Sequence, residues 1–338
     1  MNLSPTSKRF LFVACVLAPM LLLLVSLFIG RYSLSVAQVA EIICSAVLGY
    51  GKGGIPYTIV VDIRMPRALL ALIVGGTLAV CGGTLQGVFR NPLVDSGMLG
   101  VSSGAGFGAC LAILLFGSGV YIYIFAFTFG LLAVFLSYLT GTIYKNAPTV
   151  TLVLGGVIIS SIFSALISLL KYVADPFEQL PTITFWLMGS FSRANYKDML
   201  IALIPISIGV VGILLLRWRI NLLAVGDKEA QSMGVDTRLS RGILIVCTAL
   251  ATAGAVCMSG TIGWVGLIIP HICRMICGND NRILLPVSLS AGACFMLVID
   301  NLARTITGGE IPIGVLTALI GGPFYIYLLG RTKGAGNW

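Results

Sequence analysis

The sequence predicts an all-α membrane protein that crosses the bilayer about ten times, and three observations predict it. Of its 338 residues, 58% are hydrophobic and only 10% charged, where soluble domains carry about 25% charge. Mean hydropathy is +1.03. The apolar residues also fall into runs of about 20, the length at which a helix crosses the hydrocarbon core while satisfying its own backbone.

The first run, 10–30, follows Lys8-Arg9. At about 20 residues it is too long for the apolar part of a secretion signal, and no convincing cleavage site follows it, so it reads as a span. Spans two and three, 66–89 and 97–117, place small residues at every fourth position: Gly75, Ala79, Gly83 and Gly87, then Gly100, Gly104, Gly108 and Ala112. Such a stripe lets helix backbones approach closely. Tight packing is its plain meaning, and a face on which helices slide is the sharper one. Between the stripes, FRNPLVDSG (89–97) cannot continue a helix through Pro92, and its polar residues need water or internal partners. It reads as a turn, or as a gate at the foot of a pathway. Gln86, Asn91, Pro92, Ser102 and Ser103 are the candidate pathway and gate positions.

Spans four, five and six are expected at 119–143, 149–171 and 198–217. The polar segment 218–240 follows. Beyond it, 241–278 is either one long helix or two spans, 241–259 and 262–278, turning at Ser259-Gly260-Thr261. Spans nine and ten are expected at 283–303 and 312–330. Charge bias decides between the two arrangements, because Lys and Arg concentrate on the cytoplasmic side. With ten spans and a cytoplasmic N-terminus, thirteen of the 21 basic residues lie inside, Lys145 and Lys333 among them. With nine, the division is ten inside against eleven outside. Ten spans with both termini cytoplasmic therefore fit better. AVCGGT (79–84) and AVCMSGT (255–261) echo each other in the second span of each five-span half, where an inverted repeat places related helices.

Several function classes fall away. The net charge of +9 is spread over short loops, where it orients the chain and meets anionic headgroups, so it does not imply nucleic acid. Nine cysteines, mostly within apolar runs, suit packing better than disulfides. The single histidine, His271, beside Cys273 and Cys277, makes a poor metal site without a further ligand. Asp300 sits one turn before Arg304, where the two can pair. No chain of mid-membrane carboxylates marks an ion-coupled carrier, and no constellation for an intramembrane hydrolase is present. GGTLQGVF (82–89) lacks the lysine of a phosphate loop, and GYGKGG (49–54) lacks its spacing. Energy for active transport would come from a partner.

Six charges fall within VGDKEAQSMGVDTRLSR (225–241). Asp227 is expected to cap a short helix over DKEAQSM, with Gly234 just past its end. Leu222, Leu223, Ala230 and Met233 offer it an apolar side. Such an element on the cytoplasmic face suits a partner's groove.

Four ordered stretches, 64–109, 226–238, 260–288 and 300–329, together resemble the permease subunit of ATP-binding-cassette importers for metal chelates: the iron-siderophore, haem and cobalamin class, of type II fold. The resemblance covers nearly the whole chain. It implies one permease domain over 1–338, paired with a second, identical or similar copy around a central pathway in a bacterial or archaeal cytoplasmic membrane. It also implies two cytoplasmic ATPase subunits that hold ATP-Mg, so that this chain has no cofactor and is not an enzyme, and a binding protein on the opposite side. The coupling element is then 218–240, with Gly226, Asp227, Glu229, Ala230, Met233 and Gly234 at its centre. Arg64, Arg67 and Arg304 stand where the family's outward arginines grip acidic residues of the binding protein, a role suited to bidentate guanidinium contacts. Ser96 stands in place of an expected proline and Trp264 in place of the usual phenylalanine. The expected cargo is a ferric siderophore, with haem, cobalamin or an oxyanion such as molybdate as alternatives. A stand-alone channel or carrier is the rival of another class.

Overall fold

The structure is a computed structural model that describes residues 5–50, 53–117, 119–142 and 149–332. The expected cytoplasmic charges Lys145 and Lys333, and the expected end of span four at 143, lie outside the described residues. Among the described residues every regular element is a helix.

In chain order the helices are α1 (Pro5–Phe28), α2 (Val36–Val47), α3 (Ile55–Tyr57), α4 (Met65–Phe89), α5 (Val101–Phe116), α6 (Val120–Thr142) and α7 (Thr149–Val173). They continue with α8 (Gln179–Leu187), α9 (Tyr196–Val225), α10 (Asp227–Ser232), α11 (Thr237–Ser259), α12 (Val265–Cys277), α13 (Asn281–Thr305) and α14 (Ile313–Thr332). A π-helical turn, Thr58–Arg64, joins α3 to α4. The ten expected spans correspond to α1, α4, α5, α6, α7, α9, α11, α12, α13 and α14. The break expected at 259–261 is present: Gly260 ends α11 and Trp264 begins α12, both at positive φ.

Polar caps set the helix starts. Asn195 accepts from the Asp198 amide, Asp236 from Leu239 and Asp280 from Arg282, each satisfying an amide that the helix itself leaves free. Ser35 and Gln38 close a capping box on α2.

α4 and α11, the second span of each half, form the centre. Of their membrane-crossing residues, 83% and 78% are buried, against 33%, 22% and 28% for α6, α7 and α9. The first pair is therefore enclosed by the chain's own helices, and the other three leave most of their surface open in the single chain. Small residues allow that enclosure. A side chain on Gly75 would lie 2.3 Å from the Gly292 carbonyl oxygen on α13, and one on Gly292 would lie 2.4 Å from that of Gly75. Gly104 and Gly108 approach the carbonyls of Phe129 and Phe125 on α6 equally closely. Both stripes are therefore packing faces.

Two features depart from ten equal spans. α5 has 16 residues and α12 only 13, about 24 and 20 Å at 1.5 Å per residue, short of a core about 30 Å thick. Non-helical chain completes each crossing: a 3-10 turn at Ser96–Leu99 before α5, and 260–264 before α12. The two short helices occupy the same place, third, in their respective halves. The second departure is a pair of short helices, α2 and α8, that are too brief to register as spans.

Candidate translocation pathway and coupling surface

Three chain breaks converge on one junction. The end of α8 (Leu187–Ser190) meets the α11–α12 turn and the start of α14. The Ser190 amide donates to the Ser259 carbonyl at 2.8 Å, while those of Ile313 and Gly314 donate to Gly189 and Met188 at 3.0 Å each. The Thr261 hydroxyl donates to the Leu187 carbonyl. Backbone that would be orphaned inside a membrane is thus satisfied across the junction. The approach is close: a side chain on Gly260 would lie 2.2 Å from the Trp186 carbonyl oxygen.

A cavity opens on each side of this junction. One, of about 680 Å³, is lined by Leu78, Asp95, Ser96, Ser102, Thr261 and Gly266 among others. The other, of about 750 Å³, is lined by Tyr123, Ser190, Arg193, Asp198, Gly260 and Glu310 among others. The junction is shared, since Met188, Thr261 and Gly314 border the first cavity and Gly189, Gly260 and Pro312 the second. The first cavity lies on the side of the 89–97 turn. There Asp95 caps the 3-10 turn, accepting from Gly97 and Met98 at 2.9 and 3.1 Å. Burial pushes the Asp95 carboxyl above its ordinary pKa, although the two amides pull it down.

Of the expected pathway residues, Ser102 lines the first cavity. Ser103 is half-buried beside it. Gln86 is buried away from both cavities. Its amide donates to the Gly266 and Leu267 carbonyls at 3.2 and 3.3 Å and accepts from Arg274 at 3.1 Å, stapling α4 to α12. Asn91 accepts from the Leu93 amide at 2.9 Å and shapes the turn with Pro92; neither lines a cavity.

The segment expected to couple forms α10 as a short helix, but its start differs from the expectation. Gly226, at φ +152, is the cap residue and offers no side chain. Asp227 instead points sideways to Arg241 at 2.9 Å and Arg90 at 3.6 Å, tying α10 to α11 and to the end of α4. Gly234 does follow the helix end, at φ +80, and the Val235 amide closes back on the Ala230 carbonyl at 3.0 Å. The expected apolar side is divided. Leu223 and Ala230 are fully buried and anchor α10 to the bundle, whereas Met233 is 59% exposed beside Lys228 and Glu229. The anchored element therefore presents Met233, with Val225 and Leu239 also exposed on either side of α10, among polar groups, the form of a docking surface.

Arg64, Arg67 and Arg304, expected on the outer surface, are all buried. Arg64 donates to the carbonyls of Leu27 and Tyr32 at 2.8 and 2.6 Å. Arg67 pairs with Asp300 at 2.8 Å and Glu310 at 2.6 Å. Arg304 donates to the Ser26 carbonyl and hydroxyl at 2.7 Å each and lies 3.6 Å from Asp300. Buried charge needs partners, and here they are internal: the arginines clasp the ends of α1, α4 and α13. Among the described residues, no group of three metal-binding side chains forms around His271 or elsewhere.

A model of the FecCD transport family matches residues 17–331. The chain belongs to the FecCD transport family. This FecCD chain is 43% identical to the molybdate import system permease protein of Haemophilus influenzae over 314 residues, 92% of this chain and 93% of that protein. It is likewise 43% identical to a probable iron chelatin transport system permease protein of Helicobacter pylori, over 82% and 83% of the two chains. It is 38% identical to the hemin transport system permease protein of Yersinia pestis, over 80% and 83%. A solved inward-facing conformation of a metal-chelate type ABC transporter superposes with a TM-score of 0.84 at 40% identity, covering 96% of this chain and all of that one. A chain of PsaBC from Streptococcus pneumoniae shares the fold, with a TM-score of 0.55 at 22% identity. The FecCD chain is thus a multi-pass ABC importer permease of the metal-chelate class, a transport component that works with ATPase and substrate-binding partners.

The short polar helix α10 was legible in the sequence, whereas the junction was not. α8 is nine residues long and reads as loop beside the 20-residue runs around it. The available signals were the short span eight, 262–278, and the break 89–97 before span three, at matching places in the two halves.

Proposed function

We propose that this permease carries a bulky metal chelate, ferric siderophore first, from an extracytoplasmic binding protein to the cytoplasm. The observation that carries the reading is that the two short helices, α5 and α12, sit at matching places in the two halves and both border the cavity beside the junction. Interrupted helices at the repeat interface mark transported ligands in membrane carriers. The junction is the barrier between the two cavities, and transport opens it. The cavity walls suit a large, largely apolar cargo. The first cavity offers Asp95 as its one charged side chain, and the second sets Arg193 against Asp198 and Glu310. Neither is a cluster of cations of the kind that would hold a small oxyanion.

Two copies of this chain pair around the pathway, and two cytoplasmic ATPase subunits, which hold ATP-Mg, dock on α10 through Met233, Lys228 and Glu229. Both termini then lie in the cytoplasm. The binding protein docks on the opposite rim, above Arg64, Arg67 and Arg304. Direct contact with those arginines requires carboxylates of the partner to displace Asp300 and Glu310.

Molybdate is the second reading, favoured by the 43% identity to the Haemophilus influenzae permease; haem and cobalamin follow. Proteoliposomes with the ATPase and the binding protein encoded beside this chain decide the cargo. ATP-dependent uptake of radiolabelled ferric siderophore, with no uptake of molybdate, is expected. Molybdate uptake without chelate uptake overturns the assignment.

A further inference from the structure

A third cavity, of about 720 Å³, lies away from the junction, among α1, α4, α9 and α13. Its lining is almost wholly apolar, with Phe12, Val16, Leu72 and Val210 among the contributors. Leu78 of α4 faces the pathway cavity, while Leu72, Ile73, Gly76 and Thr77 face this groove, so α4 separates the two. Pro19 and Pro286, each inside a helix, also line it, and prolines within helices bend them and open space between neighbours.

Two cations stand at one end only. Arg217 near the end of α9 and Arg282 in the first turn of α13 complete the lining on the side that carries α10. Arg217 is half-buried and Arg282 exposed. Neither guanidinium has an ion pair or side-chain hydrogen bond among the described residues. The nearest carboxylate along the chain, Asp280, receives the Asn221 side-chain amide at 2.6 Å and caps α13. From Arg282 to Ala293 the α13 residues that line the groove span twelve positions, about 16 Å of helix, and from Leu203 to Arg217 the α9 residues span fifteen, about 21 Å. These lengths are one leaflet or somewhat more of a core about 30 Å thick. The groove therefore accommodates an acyl chain of one leaflet, apolar along its length and doubly cationic at the end beside α10.

We propose that this groove is a site for one anionic glycerophospholipid of the leaflet on the coupling side, its acyl chain against α1, α4, α9 and α13 and its phosphate between Arg217 and Arg282. Basic pockets between spans at that membrane face select anionic headgroups. Because α9 leads directly into α10 and α13 packs on α4, the lipid bridges the helix that carries the coupling element to the central pair. The site does not depend on which cargo the pathway carries.

Native mass spectrometry of the full-length chain, released from nanodiscs of phosphatidylglycerol or phosphatidylcholine, tests the proposal. One retained phosphatidylglycerol per chain is expected, with no retained phosphatidylcholine. Arg217→Gln with Arg282→Gln should lower retention about 30-fold, the effect of removing two cations that face an anionic headgroup. Ser207→Trp, placed where an exposed residue lines the groove, should block the lipid while leaving both arginines in place. Unchanged thermal unfolding of each variant in detergent shows that the fold survives. Equal retention of both lipids, or wild-type retention by either variant, overturns the site.

Discussion

Replacing Asp300 with asparagine leaves the shape of the arginine clasp nearly unchanged and removes its central charge. Asp300 has no exposed side-chain surface, and the Arg67 and Arg304 side chains are each 7% exposed. The carboxylate lies 2.8 Å from Arg67 and 3.6 Å from Arg304. Without it, Arg304 keeps Ser26 and Asn301, which are neutral, and Arg67 keeps only Glu310, whose side chain is 37% exposed. Removing one member of a buried ion pair typically costs about 3–5 kcal/mol, mostly from the charge left behind. At about 2–4 °C per kcal/mol for a large chain, the unfolding midpoint should fall by about 6–20 °C. Thermal unfolding in detergent, followed by tryptophan fluorescence, measures it. The pair Asp300→Leu with Arg67→Met removes both charges of the tighter pair but leaves Arg304 on Ser26 and Asn301 alone and Glu310 without Arg67, so it should recover only part of the loss. If Asp300→Asn lowers the midpoint by less than about 2 °C, the arginines are not an internal clasp, and the outward, partner-gripping arrangement gains the ground lost here.

Three further outcomes follow from the same geometry. Gly260→Ala should lower transport strongly and stability by about 1–2 kcal/mol, since it adds a Cβ at φ +70 directly against the Trp186 carbonyl; uptake in proteoliposomes and thermal unfolding report on it, and wild-type behaviour would mean that the junction is loose. Gln86→Ala leaves Arg274 without its amide partner and should destabilise the chain by about 1–3 kcal/mol, detectable in the same unfolding assay. Asp95→Asn keeps the cap and removes a carboxyl whose folded-state pKa is raised by burial. The folded state therefore binds the proton more readily than the unfolded one, so the wild type should gain stability over the variant as pH falls through the raised value toward about 4. A wild type that instead loses ground to the variant on acidification would refute the assigned shift.

The ten spans, the break at Gly260 and the position of α10 were all legible in the sequence because each rests on a local signal: a run of apolar length, a glycine, a cluster of charges. Asp227 shows where local reading stops. Its place at the head of DKEAQSM resembles a cap, yet Arg241, fourteen residues on, and Arg90, from another helix, compete for the same carboxylate. The arginines show the same limit: Arg64 and Arg67 read as outward, partner-gripping residues until the chain brings Leu27, Tyr32, Asp300 and Glu310 around them. The junction was the least legible, because it is held by backbone hydrogen bonds between α8, the α11–α12 turn and the α14 start, which no side-chain pattern records.

The central claim is that a partner ATPase drives this permease through α10. The most direct measurement is substrate-stimulated ATP hydrolysis by the reconstituted complex carrying Glu229→Arg with Gly234→Pro, beside the wild type. Loss of stimulation and uptake, with the permease still folded and inserted, is the predicted result. Stimulation at the wild-type level in that variant would contradict the account.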